Sequence, residues 1–194
     1  MKFALLAASC LVAASSFHAA AALKAGDAAP EFTAQASMAG QASAYSLKDA
    51  LRKGPVVVYF YPSAYTGGCN LQAHTFAENH DKFAAAGATI IGVSLDSIQR
   101  LNDFSKDPEY CNGKFPVASD ADGSISKSYD LSVRDARAGA KDTRGVDIDH
   151  GFAERTTFVV GSDGKIVATV GGVDPKSNVE KALEVVQGIA SKGK

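Results

Sequence analysis

The run Val56-Val57-Val58-Tyr59-Phe60 constrains this chain more than any other segment. Five β-branched and aromatic residues in succession, with no polar position among them, read as a buried strand. The strand cannot continue, because Pro62-Ser63 and Gly67-Gly68 are turn residues. Leu71–Ala86 then has helical character, with Ala73, Phe76, Ala77, Phe83 and Ala84 near the 3.6-residue period and Gly87 as its stop. Cys69 therefore falls in the first turn of a helix that follows a central strand. Backbone N–H groups there lack helical partners and the helix dipole favours an anion. A thiol so placed ionises more readily, and the thiolate is the nucleophilic form.

The rest of the chain repeats the strand–helix alternation. Lys24–Ser46, broken by Pro30 and Gly40, reads as a hairpin or extended arm, and Leu47–Arg52 as a short helical turn. Ala88–Ser94 is a second core strand and Ser97–Ser105 a second helix, with Ile98, Leu101 and Phe104 on one side and Pro108 as its stop. Phe115–Ser119 is a short strand, Ser124–Tyr129 a short helix and Ser132–Gly151 a charged surface loop. Thr156–Val160 and Lys165–Val170 flank the turn Gly161-Ser162-Asp163-Gly164, and Ser177–Ser191 closes the chain as a helix. This order predicts an α/β sandwich with a mixed central sheet. Reactive groups in such sheets collect at the carboxyl ends of strands, where Cys69 stands.

The N-terminus reads as an export signal. Met1-Lys2 supplies a positive start, Phe3–Val12 an apolar stretch too short for the roughly 20 residues of a membrane span, and Ala20-Ala21-Ala22 the small residues of a cleavage site. Residues 1–22 are thus expected to be removed, leaving a single domain over 23–194 and an exported, periplasmic protein. Cys10 leaves with the signal, so Cys69 and Cys111 remain, and two cysteines in an exported protein suggest one disulfide. The net charge of −1, without any lysine or arginine block, argues against a nucleic-acid partner.

Around Cys69 the spacing Pro62-x-x-x-Thr66-x-x-Cys69 has a physical reading. Pro62 stiffens the approach and can shield the sulfur. Thr66 is one turn away, where its hydroxyl can reach the sulfur or a substrate oxygen, or simply cap the helix over an inert buried cysteine. Gly67 and Gly68 let backbone come close. Arg155, opening the strand Thr156–Val160, is a permanent cation with a fork of donors, able to hold a thiolate, although an arginine at a strand end is more often only solvated. Asp147, Asp149 and Glu154 could bias its orientation. His74 and His80 are six apart, off the three or four that aligns metal ligands on a helix, and His150 lies in the charged loop.

The cysteine motif with its distant arginine resembles the peroxiredoxins, and within them the subgroup that includes bacterioferritin comigratory protein. Gly26-Asp27-Ala28-Ala29-Pro30-Glu31-Phe32, Ile91-Gly92-Val93-Ser94, Phe115-Pro116-Val117-Ala118-Ser119-Asp120 and Ser162-Asp163-Gly164-Lys165-Ile166 extend the likeness over residues 24–190. The resemblance implies a thioredoxin-like three-layer α/β sandwich and a thiol-dependent peroxidase without metal, haem or flavin. Its substrates would be hydrogen peroxide and organic hydroperoxides. Cys69 would be the attacking cysteine, oxidised to a sulfenic acid. Thr66 and Arg155 would hold the peroxide oxygens, and Pro62 would line the pocket. Gln72 fills a position that is usually glutamate or glutamine.

The chain departs from the family pattern at four places. Ala64 replaces a frequent aspartate, Gly67 a frequent proline, and His74 the second cysteine that many relatives carry five residues after the first. Phe104-Ser105 matches the spot where other relatives place a resolving cysteine, six residues before Cys111. Cys111 remains the candidate to resolve the sulfenic acid as a disulfide with Cys69. A permanent structural Cys69–Cys111 bridge, or pairing of Cys111 with another subunit or a small thiol, are the competing readings. A thioredoxin-like or other dithiol would reduce the enzyme, and a monomer or weak dimer is expected. The alternative functions are a thiol–disulfide oxidoreductase, against which stands the lack of a Cys-x-x-Cys pair, and a non-catalytic redox-responsive binding protein.

Overall fold

The computed structural model describes residues 21–192. The expected signal, with Cys10 and His18, lies outside the described residues except for Ala21 and Ala22. In chain order the elements are β1 (Thr33–Met38), β2 (Gln41–Ser46), α1 (Leu47–Leu51), β3 (Val56–Phe60), α2 (Gly67–Ala85), β4 (Thr89–Ser94) and α3 (Ile98–Lys106). They continue with β5 (Val117–Ser119), α4 (Ser124–Ser128), β6 (Val133–Arg134), β7 (Phe152–Ala153), β8 (Thr156–Val160), β9 (Ile166–Gly171) and α5 (Pro175–Lys192).

Seven strands form one mixed sheet in the order β2-β1-β5-β4-β3-β8-β9. The parallel centre is β3, β4 and β5, joined by α2 and α3 as crossovers. Antiparallel hairpins extend both sides: β8 pairs with β3, and β1 with β5 through Ala36 opposite Ala118. The expected N-terminal arm is thus a hairpin built into the sheet. Alternation along β3 splits the core. Val57 and Tyr59 face a cluster with Phe76 and Phe83 of α2, Leu101 and Phe104 of α3, and Val179 and Val186 of α5. Val56, Val58 and Phe60 face Leu47 and Leu51 of α1, Tyr129 and Leu131. A sheet buried on both faces explains why β3 has no polar position. Gly92 of β4 stands opposite Tyr59, whose ring would lie 2.6 Å from any Cβ placed there, so the phenol needs a glycine beside it.

Three expectations are corrected. Helix α2 begins at Gly67 rather than Leu71. The Thr66 carbonyl accepts from Asn70 N at 2.8 Å, so the two glycines are its first turn and not a turn before it. Ala84 is exposed, whereas polar Gln72 and Thr75 are buried. The 132–151 stretch is more than a surface loop: β6 pairs with β7 across it, and Asp142 and Ile148 are buried.

Candidate active site

Strand β3 delivers the chain to Tyr61, and residues 62–66 turn it into α2. Cys69 is the third residue of that helix and is 1 % exposed. Arg155, just before β8, crosses to it: Nη2 donates to the Cys69 sulfur at 3.3 Å. The antiparallel pairing of β8 with β3 puts Thr156 opposite Phe60, which brings residue 155 to the end of β3 from which α2 departs. Nη1 of the same guanidinium donates to the side-chain oxygen of Gln72, one turn along α2. The arginine therefore faces the sulfur and does not simply project into solvent. Asp147 pairs instead with Lys141, and Glu154 accepts from Ser132 N, so neither holds it.

The two glycines divide. A Cβ on Gly68 would stand 3.1 Å from Nη2 of Arg155 and 3.3 Å from Pro175 Cγ, while one on Gly67 would meet nothing within 4 Å. Close approach is required at Gly68 alone. Thr66 occupies the N-cap position with extended backbone, but its side chain makes no capping bond. Its hydroxyl donates to the Ser63 carbonyl at 2.9 Å. With that proton committed, the oxygen is left as an acceptor. Pro62 and Thr66 line a cavity of about 540 Å³, walled also by Ile148, Phe152 and the stretch from Arg134 to Lys141.

A buried polar cluster fixes the loop that carries Pro62 and Thr66. Asp96, just beyond β4 and fully buried, accepts from Ala64 N (2.7 Å), Ser63 Oγ (3.0 Å), Ser94 Oγ (2.7 Å) and His150 Nε2 (2.9 Å). Burial alone would raise its carboxyl, but these donors and the His150 charge override that and hold it below the usual range. His150 Nδ1 faces the Gly151 carbonyl at 2.7 Å. Both ring nitrogens thus meet acceptors, which only the imidazolium satisfies. Burial opposes that cation, while the bond and charge of Asp96 raise its pKa above 6.5. Arg100 completes the cluster, 2.8 Å from both Asp96 and Asp142 and bonded to the Ala64 carbonyl. Tyr65 has φ 59°, its carbonyl accepts from Thr143 N and Oγ1, and Arg144 stacks 3.2 Å from its ring centroid. The charged loop that sequence reading placed at the surface is what clamps this turn.

Cys111 lies apart from the guanidinium, in the 107–113 turns after α3. It is fully buried in the same cluster of side chains as Cys69, and both cysteines are free. Burial first, then the charge of Asp107, pushes its thiol well above the ordinary range. Tyr110 stacks on Phe104 and meets Tyr65 edge-on, and His74 Nδ1 donates to the Glu109 carbonyl at 2.9 Å. The structure brings Arg155 to Cys69, sets Pro62 and Thr66 on the cavity wall in the turn that leads into α2, and keeps Cys111 under cover. Asp96 and Asn178, which sequence reasoning missed, stand behind them. Asp96 had a signal in its place at the carboxyl end of a parallel strand. No helix among the described residues is long and apolar enough to cross a membrane, and no group of three or more His, Cys, Asp or Glu among them could hold a metal ion.

Comparison with known proteins places these features in context. The model of the AhpC/TSA family matches residues 25–169. Peroxiredoxin Bcp of Bacillus subtilis is 30 % identical over 137 residues, covering 71 % of this chain and 80 % of its own length. Among solved structures, peroxidoxin BcpB from Mycobacterium tuberculosis superposes with a TM-score of 0.69 at 26 % identity, over 86 % of this chain and 98 % of that one. The bacterioferritin comigratory protein of Xanthomonas campestris, whose alkyl peroxide reduction was studied, gives 0.63 at 26 % identity, over 80 % and 91 %. The mixed sheet between helical layers is the thioredoxin-like sandwich of these proteins.

Proposed function

The chain belongs to the AhpC/TSA family as a peroxiredoxin of the bacterioferritin comigratory type, a thiol-dependent peroxidase, and from that premise we propose how its residues divide the reaction. The Cys69 thiolate attacks one oxygen of a hydroperoxide. A sulfur–oxygen bond forms, the O–O bond breaks, and the departing alkoxide or hydroxide takes up a proton. The sulfur is oxidised to a sulfenic acid and the peroxide is reduced to an alcohol or water. The observation that carries this reading is the 3.3 Å bond from Arg155 Nη2 to the Cys69 sulfur at a helix N-terminus. A guanidinium held there stabilises the thiolate and the charge that moves onto the leaving oxygen. Thr66 complements it: its free lone pairs accept from the peroxide O–H while Arg155 donates.

Hydrogen peroxide and organic hydroperoxides are both substrates in this reading. The cavity beside Pro62 and Thr66, at about 540 Å³, is within the range of small-molecule sites and has apolar wall at Ile148 and Phe152. Cys111 resolves the sulfenic acid: its thiolate attacks the Cys69 sulfur, a disulfide forms and hydroxide leaves to become water. A thioredoxin-like dithiol then restores both thiols by exchange. Because Cys111 is buried and protonated in the reduced fold, resolution requires the 107–113 turns to open. Residues 1–22 act as a cleavable export signal, so the working enzyme is periplasmic; it works as a monomer or weak dimer.

The test is mass spectrometry of the purified protein after one equivalent of peroxide, with the N-terminus read in the same spectrum. Wild type is expected to give a Cys69–Cys111 disulfide. Cys111→Ser should stop at a dimedone-trappable sulfenic acid on Cys69 with no turnover on added dithiol, and Cys69→Ser should consume no peroxide. Full activity of Cys69→Ser would refute the assignment.

A further inference from the structure

We propose that Asn178 of α5 is a positioning residue for peroxide reduction, acting through Gln72 to set where the Arg155 guanidinium stands against the Cys69 sulfur. The inference rests on the roles given above to Cys69 and Arg155. Its basis is a chain of side-chain hydrogen bonds whose direction is fixed from one end.

That end is the carbonyl of Val170 in β9. A carbonyl can only accept, and it accepts from Asn178 Nδ2 at 2.9 Å. The Asn178 amide is thereby oriented with Oδ1 away from β9. Oδ1 accepts twice, from the Thr157 hydroxyl and from Gln72 Nε2 at 2.9 Å. With its NH2 turned to Asn178, Gln72 presents Oε1 to Arg155 and accepts from Nη1. The second terminal nitrogen, Nη2, is left for the sulfur. Gln72, Thr157 and Asn178 are each fully buried, so no solvent can replace a missing partner. Reversing either amide would set donor against donor at one junction and oxygen against oxygen at the next. The polarity of one strand carbonyl is thus transmitted through two amides to a guanidinium.

This chain also accounts for glutamine at position 72, where the family accepts glutamate as well. A carboxylate there would point an oxygen at Asn178 Oδ1, which has only lone pairs to offer. Asn178 could receive it only by turning over, and then the Val170 carbonyl would lose its donor and face an oxygen. The residue that selects Gln72 lies 106 positions further along the chain.

The experiment measures peroxide reduction and the pH dependence of iodoacetamide alkylation of Cys69 in full-length N178L and N178D, each in wild-type and R155M backgrounds. Thermal melts are run alongside. N178L removes the amide, and N178D keeps the shape but replaces the donor to Val170 with an acceptor. In the wild-type background each is expected to slow the second-order reaction with peroxide roughly 10-fold, the usual scale for loss of a supporting partner behind a directly acting group. The alkylation profile should move to higher pH, in the direction R155M itself moves it. In the R155M background neither substitution should change the rate by more than about twofold, because the group they position is gone. If N178L does not fold, N178D carries the same comparison. A wild-type rate and profile in either folded variant would overturn the proposal, as would an equal fold-loss in both backgrounds, which is the mark of a merely structural residue. If R155M reacts at the wild-type rate, the role of Arg155 falls and this inference with it. A slow R155M beside a fast N178L removes only Asn178.

Discussion

His74 is the substitution that most directly tests how Cys111 reaches Cys69. It stands five residues after Cys69, where many relatives carry their resolving cysteine. Here it does the opposite of resolving. Its Nδ1–H donates to the Glu109 carbonyl at 2.9 Å and so ties α2 to the turns that hold Cys111. The contact of its other nitrogen with Glu78, at 3.3 Å, stays within α2 and binds nothing across the gap. Opening of residues 107–113 must break the first bond, together with the packing of Tyr110 on Phe104. The His74 side chain is 46 % exposed, so its bond counts at the low end of the usual range. Removing it in H74A should release about 0.5–1 kcal/mol, which raises the opening constant about 2- to 5-fold. The assay is acid-quenched mass spectrometry after one equivalent of hydrogen peroxide. Formation of the sulfenic acid should be unchanged, since His74 does not touch the sulfur's partners. Disulfide formation should be about 2- to 5-fold faster, and H74Q, which can restore a donor, should fall between H74A and wild type. A disulfide rate that is unchanged or slower in H74A refutes the reasoning, because it would mean that this bond does not hold the segment shut.

The two glycines before Cys69 should separate on substitution. G68A pushes a methyl to 3.1 Å from the Arg155 Nη2 atom and should cut peroxide reduction at least 10-fold, while G67A meets open space and should stay within about twofold of wild type. Equal losses in a stopped-flow comparison would contradict the placement of the guanidinium. Stability should peak in mildly acidic solution. Asp96 is held below its ordinary 3.8, so its contribution is present above that value and lost as pH falls through the lowered one. His150 is raised above 6.5, so its contribution is complete below 6.5 and lost as pH rises through the raised value. Melting temperatures measured from pH 3 to 9 should therefore fall on both sides of the window between about 4 and 6.5, and H150Q should flatten the alkaline side. A wild-type curve level from pH 6 to 9 would remove the His150–Asp96 pair as its cause.

Strand β3 and its helix were legible because the information is local. Five apolar residues and a turn can only be a strand end, and the period of Ala73, Phe76 and Phe83 follows at once. The hairpins were legible for the same reason, from Gly40 and from the Gly161–Gly164 turn. The start of α2 at Gly67 is hidden in the sequence because glycine pairs signal turns on propensity alone. The reason for Gly68 is a guanidinium 87 residues later, and a long-range contact leaves no local trace. The 132–151 stretch reads as surface in sequence because its charges look solvated one at a time. Asp142 and His150 are anchored by Arg100 and Asp96, whose guanidinium and carboxylate are distant in sequence and adjacent only in the fold.

The same contrast separates the atoms that react from the atoms that aim them. Cys69, Thr66 and Pro62 fall within eight residues, and their chemistry requires adjacency, so spacing exposes them. The guanidinium must come from another strand, and β8 is fixed in register against β3 by hydrogen bonds that carry no side-chain signature. Its support comes from farther still. Gln72 did leave a trace: it lies three residues after Cys69, polar on the face that Ala73 and Phe76 bury, where an unpartnered amide would be costly. A buried polar residue on an apolar helix face implies a partner across the interface, and in this fold the helix packed there is α5. Asn178 beside Val179 is the position on α5 that meets the need, and Thr157 on β8 supplies the remaining donor. The burial of Gln72 thus requires Asn178, and the orientation of Asn178 in turn decides which atom of Gln72 faces Arg155. Packing demand and catalytic aim are met by the same hydrogen bonds of Asn178, so apolar residues at 72, 157 and 178 together, which remove the unpaired side-chain groups that N178L leaves, should melt closer to wild type than N178L without regaining the wild-type rate of peroxide reduction.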